Sequence, residues 1–343
     1  MRQYEHGGNI YEHPNCVDFS ANLNPLGMPA AARDALRTCA DACEAYPDPQ
    51  CRELTSALAT FEHVPRKWVL PCAGATDAFA RICLALRPTN ALVCDPCYSG
   101  YEQALELVGA RLTHHALQKE EDFAVTERVV EELRESVDIV FVANPNNPTG
   151  RCVPRDVLEQ LLERAKVQGA TVVLDECFID LTSHKGSNDL LQRFSNLVIV
   201  KALTKSFCLA GLRVGYALCS DARLLSNLRK AGQPWAVSVP AQLAGVAALA
   251  DKTYLQRSRG TIARERTHLM RELQSLGLYV VPGEANYLLF EADAGMYDRL
   301  LCQGILARPC NNFCELDMRW LRVAIRTAPQ NDLLVRALRK VTQ

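Results

Sequence analysis

Through the middle of the chain, short apolar runs bounded by polar turns alternate with stretches of helical periodicity. Runs at residues 69–72, 91–94, 139–143, 172–175, 197–201 and 214–218 read as buried strands. Their alternation with helices between residues 45 and 235 predicts an α/β fold with a large domain built on a mainly parallel sheet, helices covering both faces. Residues 1–44 read as a polar arm with little sheet character, carrying one helix over 29–39 and a turn at Asn22-Leu23-Asn24-Pro25. After Gln233-Pro234-Trp235 a single long helical pattern, 240–276, leads into a smaller C-terminal α+β domain, 236–343, with strands near 279–281, 287–291 and 320–324. A chain of 343 residues accommodates one large and one smaller domain.

Where the apolar runs stop, residues with chemical use begin. The run 139–143 ends at Asn144-Pro145-Asn146-Asn147-Pro148-Thr149-Gly150, a strand feeding a tight polar turn. The run 172–175 delivers Asp175 at its carboxyl end, where open α/β sheets bind ligands. Lys205 follows the next strand in Leu203-Thr204-Lys205-Ser206, among small and apolar neighbours. Such surroundings lower a lysine's pKa from about 10.4 toward neutrality and leave its amine free to form a Schiff base with an aldehyde. Arg213 offers a bidentate fork to a phosphate and Thr204 a hydroxyl, while Gly211 and Gly215 admit close backbone approach. The turn Ala73-Gly74-Ala75-Thr76-Asp77 opens a helix, and its backbone amides add phosphate donors at a positive dipole end. An ionised Asp175 would keep a pyridine nitrogen protonated and make that ring an electron sink. The set suits a phosphorylated aldehyde.

Charge and composition narrow the class of partner. The 38 basic and 39 acidic residues leave a net charge of −1, and no basic block or stripe with interleaved aromatics appears, so no nucleic-acid partner is expected. The longest low-polarity stretch, 238–250, contains Gln242 and falls short of the about 20 residues a bilayer span needs, so no membrane partner is expected. The amino terminus is polar from Arg2 onward and lacks a signal-peptide pattern, which predicts a cytoplasmic protein. Fifteen cysteines, scattered and odd in number, suit a reducing compartment better than a disulfide framework. Cys94-Asp95-Pro96-Cys97 is the one close pair with metal-like spacing, and no second CxxC or His pair completes it, so no metal site is expected. Cys72, Cys97, Cys152, Cys177 and Cys208, inside or beside the motifs, read as small apolar packing.

The motifs Asn146-Asn147-Pro148-Thr149-Gly150, Asp175-Glu176, Thr204-Lys205 and Gly211-Leu212-Arg213-Val214-Gly215-Tyr216, in this order, resemble the aspartate-aminotransferase-like fold, fold type I of the pyridoxal-phosphate (PLP) enzymes. The resemblance covers nearly the whole chain. His6-Gly7-Gly8-Asn9-Ile10, the later Asp18-Phe19-Ser20-Ala21-Asn22-Leu23-Asn24-Pro25-Leu26-Gly27, and Arg322-Val323-Ala324-Ile325-Arg326 narrow it to the threonine-phosphate decarboxylases of cobalamin biosynthesis, with the histidinol-phosphate aminotransferases as more distant kin.

The resemblance implies pyridoxal 5'-phosphate as cofactor, with Lys205 as the Schiff-base lysine and Asp175 at the ring nitrogen. It implies that Tyr98 stacks on the ring, Tyr101 being the weaker choice, and that Asn147 hydrogen-bonds the phenolic oxygen. Gly74, Ala75, Thr76, Thr204 and Arg213 would hold the phosphate, joined by Tyr46 from a neighbouring subunit, which implies a homodimer. For a phosphorylated amino-acid substrate it implies Arg322 on the α-carboxylate and Arg308 on the substrate phosphate, with His6, Gly7, Asn22 and Asn147 as further contacts and Arg326 as a bystander. Two positions depart from the family: Phe178 replaces the tyrosine of Asp-x-x-Tyr, and Ala202 replaces a serine or threonine. The implied reaction is decarboxylation of O-phospho-L-threonine to (R)-1-amino-2-propanol O-phosphate. Transamination, of histidinol phosphate or a related amine, is the alternative, and the choice follows from which bond at Cα stands perpendicular to the ring.

Overall fold

In the computed structural model, which describes residues 6–342, the chain builds three sheets. The terminus that is polar from Arg2 begins outside the described residues. Strand β1 (Val17–Asp18) belongs to the arm. Strands β2 (Val69–Cys72), β3 (Asn90–Asp95), β4 (Arg111–Ala116), β5 (Ile139–Ala143), β6 (Thr171–Asp175), β7 (Leu197–Ala202) and β8 (Gly215–Leu218) form a seven-stranded sheet in the order β2-β8-β7-β6-β5-β3-β4. Its neighbours run parallel except β8, which is antiparallel to both β2 and β7.

The central runs lack polar alternation because both faces of this sheet are covered. Successive side chains of β5 feed opposite layers: Ile139, Phe141 and Ala143 join one core, Val140 and Val142 the other. Each large side chain so enclosed contributes roughly 1.5–3 kcal/mol. Strand β4 lies at the sheet edge, and Arg111, Thr113 and His114 face water there, so no apolar run announces it.

The second sheet is antiparallel. Strands β9 (Tyr279–Val280), β10 (Tyr287–Glu291), β11 (Ile305–Leu306), β12 (Arg308–Pro309) and β13 (Trp320–Ala324) complete the chain's strands, with order β12-β13-β10-β9 in the four-stranded sheet. Strand β11 instead pairs in parallel with β1, so the arm carries more sheet structure than its polarity suggests. The arm then ties both sheets together. Ala324 N donates to Phe19 O at 2.8 Å, and Asn24 Nδ2 donates to Ser206 O at 2.8 Å and Ser258 Oγ at 2.7 Å.

The long helical pattern divides in two, Val239–Ala250 and Tyr254–Ser275. The break falls where the Asp251 carboxylate accepts from Thr253 N at 3.1 Å and Thr253 Oγ1 at 2.8 Å, a local turn that competes with helix continuation. The first half buries Ala241, Ala244 and Ala248 in the core of the large sheet. The second bridges the two domains, with Ile262 in the large core and Leu269 and Leu273 in the small one. Among the described residues no helix is long and apolar enough to cross a membrane.

Candidate active site

Strands β5, β6 and β7 end side by side, Ala143 opposite Asp175 and Asp175 opposite Val200. Asp175 therefore leaves the sheet at its carboxyl edge. Its Oδ1 accepts from Cys177 N at 2.9 Å and its Oδ2 from the Tyr101 hydroxyl at 2.6 Å, so the carboxylate is fixed in orientation. The part played by Tyr101 corrects the expectation from sequence. Fully buried, edge-on to Tyr98 and with its ring stacked on Phe141 at 5.2 Å, it supports Asp175 and does not line the cavity.

Lys205 sits on the one-turn helix Leu203–Ser206 that follows β7. Its Nζ donates to Thr204 Oγ1 at 3.2 Å and lies 6.0 Å from the centre of the Phe178 ring. Burial pulls the ammonium's pKa below the ordinary lysine range; Arg213 and Arg322 add to that, while Cys177 and Asp175 oppose it. Across from it begins the 12-residue helix Ala75–Leu86, whose N-cap Gly74 has φ +89°. A Cβ on Gly74 would come within 2.9 Å of Arg213 Nη2, and one on Gly215 within 2.9 Å of the Gly74 carbonyl carbon. These two glycines let β8, the helix start and Arg213 converge. Gly211 does not share this role, because a Cβ there would meet nothing within 4 Å.

Thr76, Tyr98, Asn147, Asp175, Phe178, Lys205 and Arg213 line a cavity of about 100 Å³. Tyr98 hydrogen-bonds Thr76, and burial raises its phenol's pKa. Phe178 and Ala202 pack with Cys177, Ala285 and Tyr287, so both departures from the family pattern form an apolar wall. Tyr287 does not replace the missing phenol, since its hydroxyl donates to Asn146 O at 2.7 Å.

The inner cavity shares Tyr98, Asn147, Phe178 and Lys205 with an outer chamber of about 400 Å³. Here the arm meets the small sheet: His6, Gly7 and Asn22 on one side, Arg308 and Arg322 on the other. The two arginines stand directly opposite each other in the β12–β13 register and line the same chamber. Both are buried. Arg322 has neutral partners, the Asn147 side-chain oxygen and Ser20 O at 2.9 Å, and its Nε has no partner among the described residues. Burial brings its pKa down to about 10, and Arg308 adds to the fall. Arg308 donates to Pro309 O and Asn312 Oδ1, each at 2.7 Å. The His6 imidazole is also held below its usual pKa, by burial and then by Arg308, Lys205 and Arg322. Asn22 Oδ1 is buried and has no partner among the described residues.

Tyr46 is elsewhere. It is 81 % exposed, its ring lies tilted against that of Trp235 with centroids 4.8 Å apart, and it lines a separate groove with Pro47, Arg52 and Gln242. Among the described residues no cysteine is joined in a disulfide. A buried network behind the site was not signalled by any motif: Lys201 Nζ reaches Glu62 Oε1 at 2.7 Å and Asp180 Oδ1 at 2.8 Å.

The donor set fits pyridoxal phosphate. A lysine with a lowered pKa, a carboxylate fixed at the strand end, a helix N-terminus beside Arg213 and a tyrosine on the remaining wall border one cavity. Beside the outer chamber Arg322 Nε is a donor without a partner among the described residues, which leaves capacity for an anionic molecule, while Asn22 Oδ1 offers an unused acceptor.

Comparison with known proteins agrees with that arrangement. The sequence model described as "Aminotransferase class I and II" matches residues 14–338. The threonine-phosphate decarboxylase of Salmonella typhimurium is 36% identical over 349 residues, 98% of this chain and 96% of that protein. Histidinol-phosphate aminotransferase 1 of Cupriavidus pinatubonensis is 33% identical, covering 94% of this chain and 88% of its own. The crystal structure of the histidinol-phosphate aminotransferase from Clostridium acetobutylicum superposes with a TM-score of 0.89 at 26% identity, over 94% of this chain and 98% of that one.

Proposed function

The chain belongs to the class I and II aminotransferase family, with the aspartate-aminotransferase-like fold and pyridoxal 5'-phosphate as its cofactor, and from that premise we propose that it decarboxylates O-phospho-L-threonine to (R)-1-amino-2-propanol O-phosphate. The observation that carries this reading is the pair Arg308 and Arg322, buried, opposed across two strands and facing one chamber with Lys205. O-Phosphothreonine presents two anions, a carboxylate and a phosphate, and planar guanidinium forks suit both. Histidinol phosphate presents only the phosphate.

When bound, pyridoxal phosphate supplies a pyridinium ring that accepts the electrons of the bond broken at the substrate's α-carbon. Asp175, steadied by Tyr101 and Cys177 N, would hold the proton on the ring nitrogen. Lys205, whose ammonium burial destabilises, is the amine that would bond the cofactor's aldehyde and would carry a proton to or from the substrate's α-carbon. Gly74, Ala75, Thr76, Thr204 and Arg213 receive the cofactor phosphate, Asn147 the phenolic oxygen and Tyr98 the ring face. Arg322 takes the α-carboxylate and Arg308 the substrate phosphate. His6, Gly7 and Asn22 close the chamber and exclude water, which strengthens each of these charge contacts. A homodimer in which Tyr46 reaches the partner's cofactor phosphate accounts for the large exposure of that tyrosine and the groove beside it.

The second reading is a histidinol-phosphate or related aminotransferase. It draws on the 33% identity to the Cupriavidus pinatubonensis enzyme, and an oxo acid with two carboxylates would also satisfy both arginines. Purified protein given pyridoxal phosphate and O-phospho-L-threonine, with no oxo acid, separates the two. Steady release of carbon dioxide with aminopropanol phosphate as product supports the decarboxylase. Absence of release, with amino transfer from histidinol phosphate to an oxo acid, supports the aminotransferase.

A further inference from the structure

We infer that Asp95, His114 and Cys314 form a zinc site at the seam between the seven-stranded sheet and the small sheet. A carboxylate oxygen, an imidazole nitrogen and a thiol sulfur from these residues all lie within 4.8 Å of one another; His114 Nδ1 and Asp95 Oδ2 now share a hydrogen bond of 2.5 Å and would part to about 3.3 Å as tetrahedral ligands. The sheet sets this up. Asp95 ends β3, and His114 lies on the adjoining strand β4 opposite Val93, two residues earlier. Cys314 arrives from the loop between β12 and β13, far away in sequence, so no spacing of residues along the chain reveals the cluster.

The donor set matches zinc in kind and in charge. Nitrogen, oxygen and sulfur ligands together suit Zn²⁺ better than the harder cations, and a carboxylate with a thiolate balances its two positive charges. His114 would bind through Nδ1 in its neutral form, the proton residing on Nε2. Its side chain is 40% exposed while that of Asp95 is 2% exposed, which gives the ion a route in and leaves a position for water as fourth ligand. Cys97 Sγ donates to the other Asp95 oxygen at 3.1 Å and orients the carboxylate from behind.

A second cluster with the same spacing, Cys152, His184 and Glu284, makes the choice selective. There the Glu284 carboxylate accepts from Cys152 N at 3.0 Å and meets His184 Nε2 at 2.6 Å, with Arg151 nearby. Both oxygens of that carboxylate are thus already engaged, and a metal ion would have to displace their partners. Zinc at the first cluster would also have a mechanical consequence. The Cys314 loop carries Asn312 and Phe313 into the outer chamber beside Arg308, and Asp95 stands three residues before Tyr98. The ion would pin the substrate wall to the cofactor wall. This inference does not depend on which reaction the enzyme performs.

The test is zinc itself. Holoenzyme stripped with a chelator is dialysed against Zn²⁺, and the metal is counted per chain and titrated against a competing chromophoric chelator. We expect one tightly held zinc. His114→Ala and Cys314→Ser should each weaken it by at least about tenfold, and Cys152→Ser should leave it unchanged. His114 is exposed on an edge strand and Cys314 lies on a loop, so neither change threatens the fold, and unaltered circular dichroism would verify that. The inference is overturned if the wild-type chain retains no zinc, if both variants bind it as the wild type does, or if Cys152→Ser abolishes binding.

Discussion

Two lysines four residues apart show how differently one strand end can treat the same side chain. Lys201, the penultimate residue of β7, is buried between Glu62 and Asp180 at 2.7 and 2.8 Å. Burial pulls its pKa down, but Asp180, Glu62 and Glu176 together overcome that and raise it, so it stays an ammonium. Lys205, just past the strand, has only the Thr204 hydroxyl within bonding distance, and there burial wins. Withdrawal from water does not by itself decide a lysine's state; the carboxylates within reach do. The first lysine is a structural cation and the second an available amine.

The contrast breaks most sharply at Lys205. Lys205→Ala should lower turnover by on the order of 10⁴–10⁶-fold and remove the visible absorption of covalently held cofactor while the chain stays folded. A retained absorption band would place the attachment elsewhere. Lys201→Met should do the reverse. Left without their cation, Glu62 and Asp180 should cost about 3–5 kcal/mol in urea denaturation, with the absorption band intact, and an unchanged denaturation midpoint would contradict the assigned role.

Glu176 sharpens the comparison. The network holds one cation against three carboxyl groups, and burial foremost raises the Glu176 pKa from 4.5 to about 7. A raised folded-state pKa gives stability that is full below the unfolded value and is lost as pH climbs through about 7. The wild type should therefore lose up to roughly 3 kcal/mol between pH 4.5 and 7.5 through this group, a loss Glu176→Gln should largely abolish in urea midpoints compared across that range. Arg308→Ala, the smallest effect, should raise KM for phosphothreonine by about 10–100-fold and leave KM for plain threonine nearly unchanged. An equal rise for both substrates would remove Arg308 from the phosphate.

The sequence made the frame of this site legible and hid its supports. Strands β5, β6 and β7 are buried on both faces, so unbroken apolar runs ending at Asn144, Asp175 and the Lys205 turn could be read directly. Residues 205, 213, 308 and 322 do come together around adjoining cavities. Strand β4 escaped because an edge strand tolerates polar side chains, and the break at Asp251 because a three-residue turn hardly disturbs helical periodicity. Tyr101 bonding Asp175, Glu62 meeting Lys201 and Cys314 approaching His114 are contacts between distant segments, which no local pattern encodes. Gly215 meets its neighbours closely, whereas Gly211, in the same motif, has no protein atom that a Cβ would touch.

The central claim is that Arg322 and Arg308 hold a doubly anionic substrate so that the carboxylate, and not the α-hydrogen, leaves. O-Phospho-L-threonine deuterated at Cα, converted in ordinary water and analysed by mass spectrometry, tests it most directly. The account predicts aminopropanol phosphate that keeps its deuterium and gains one solvent hydrogen. A ketonic product, with the deuterium lost to solvent, would contradict it.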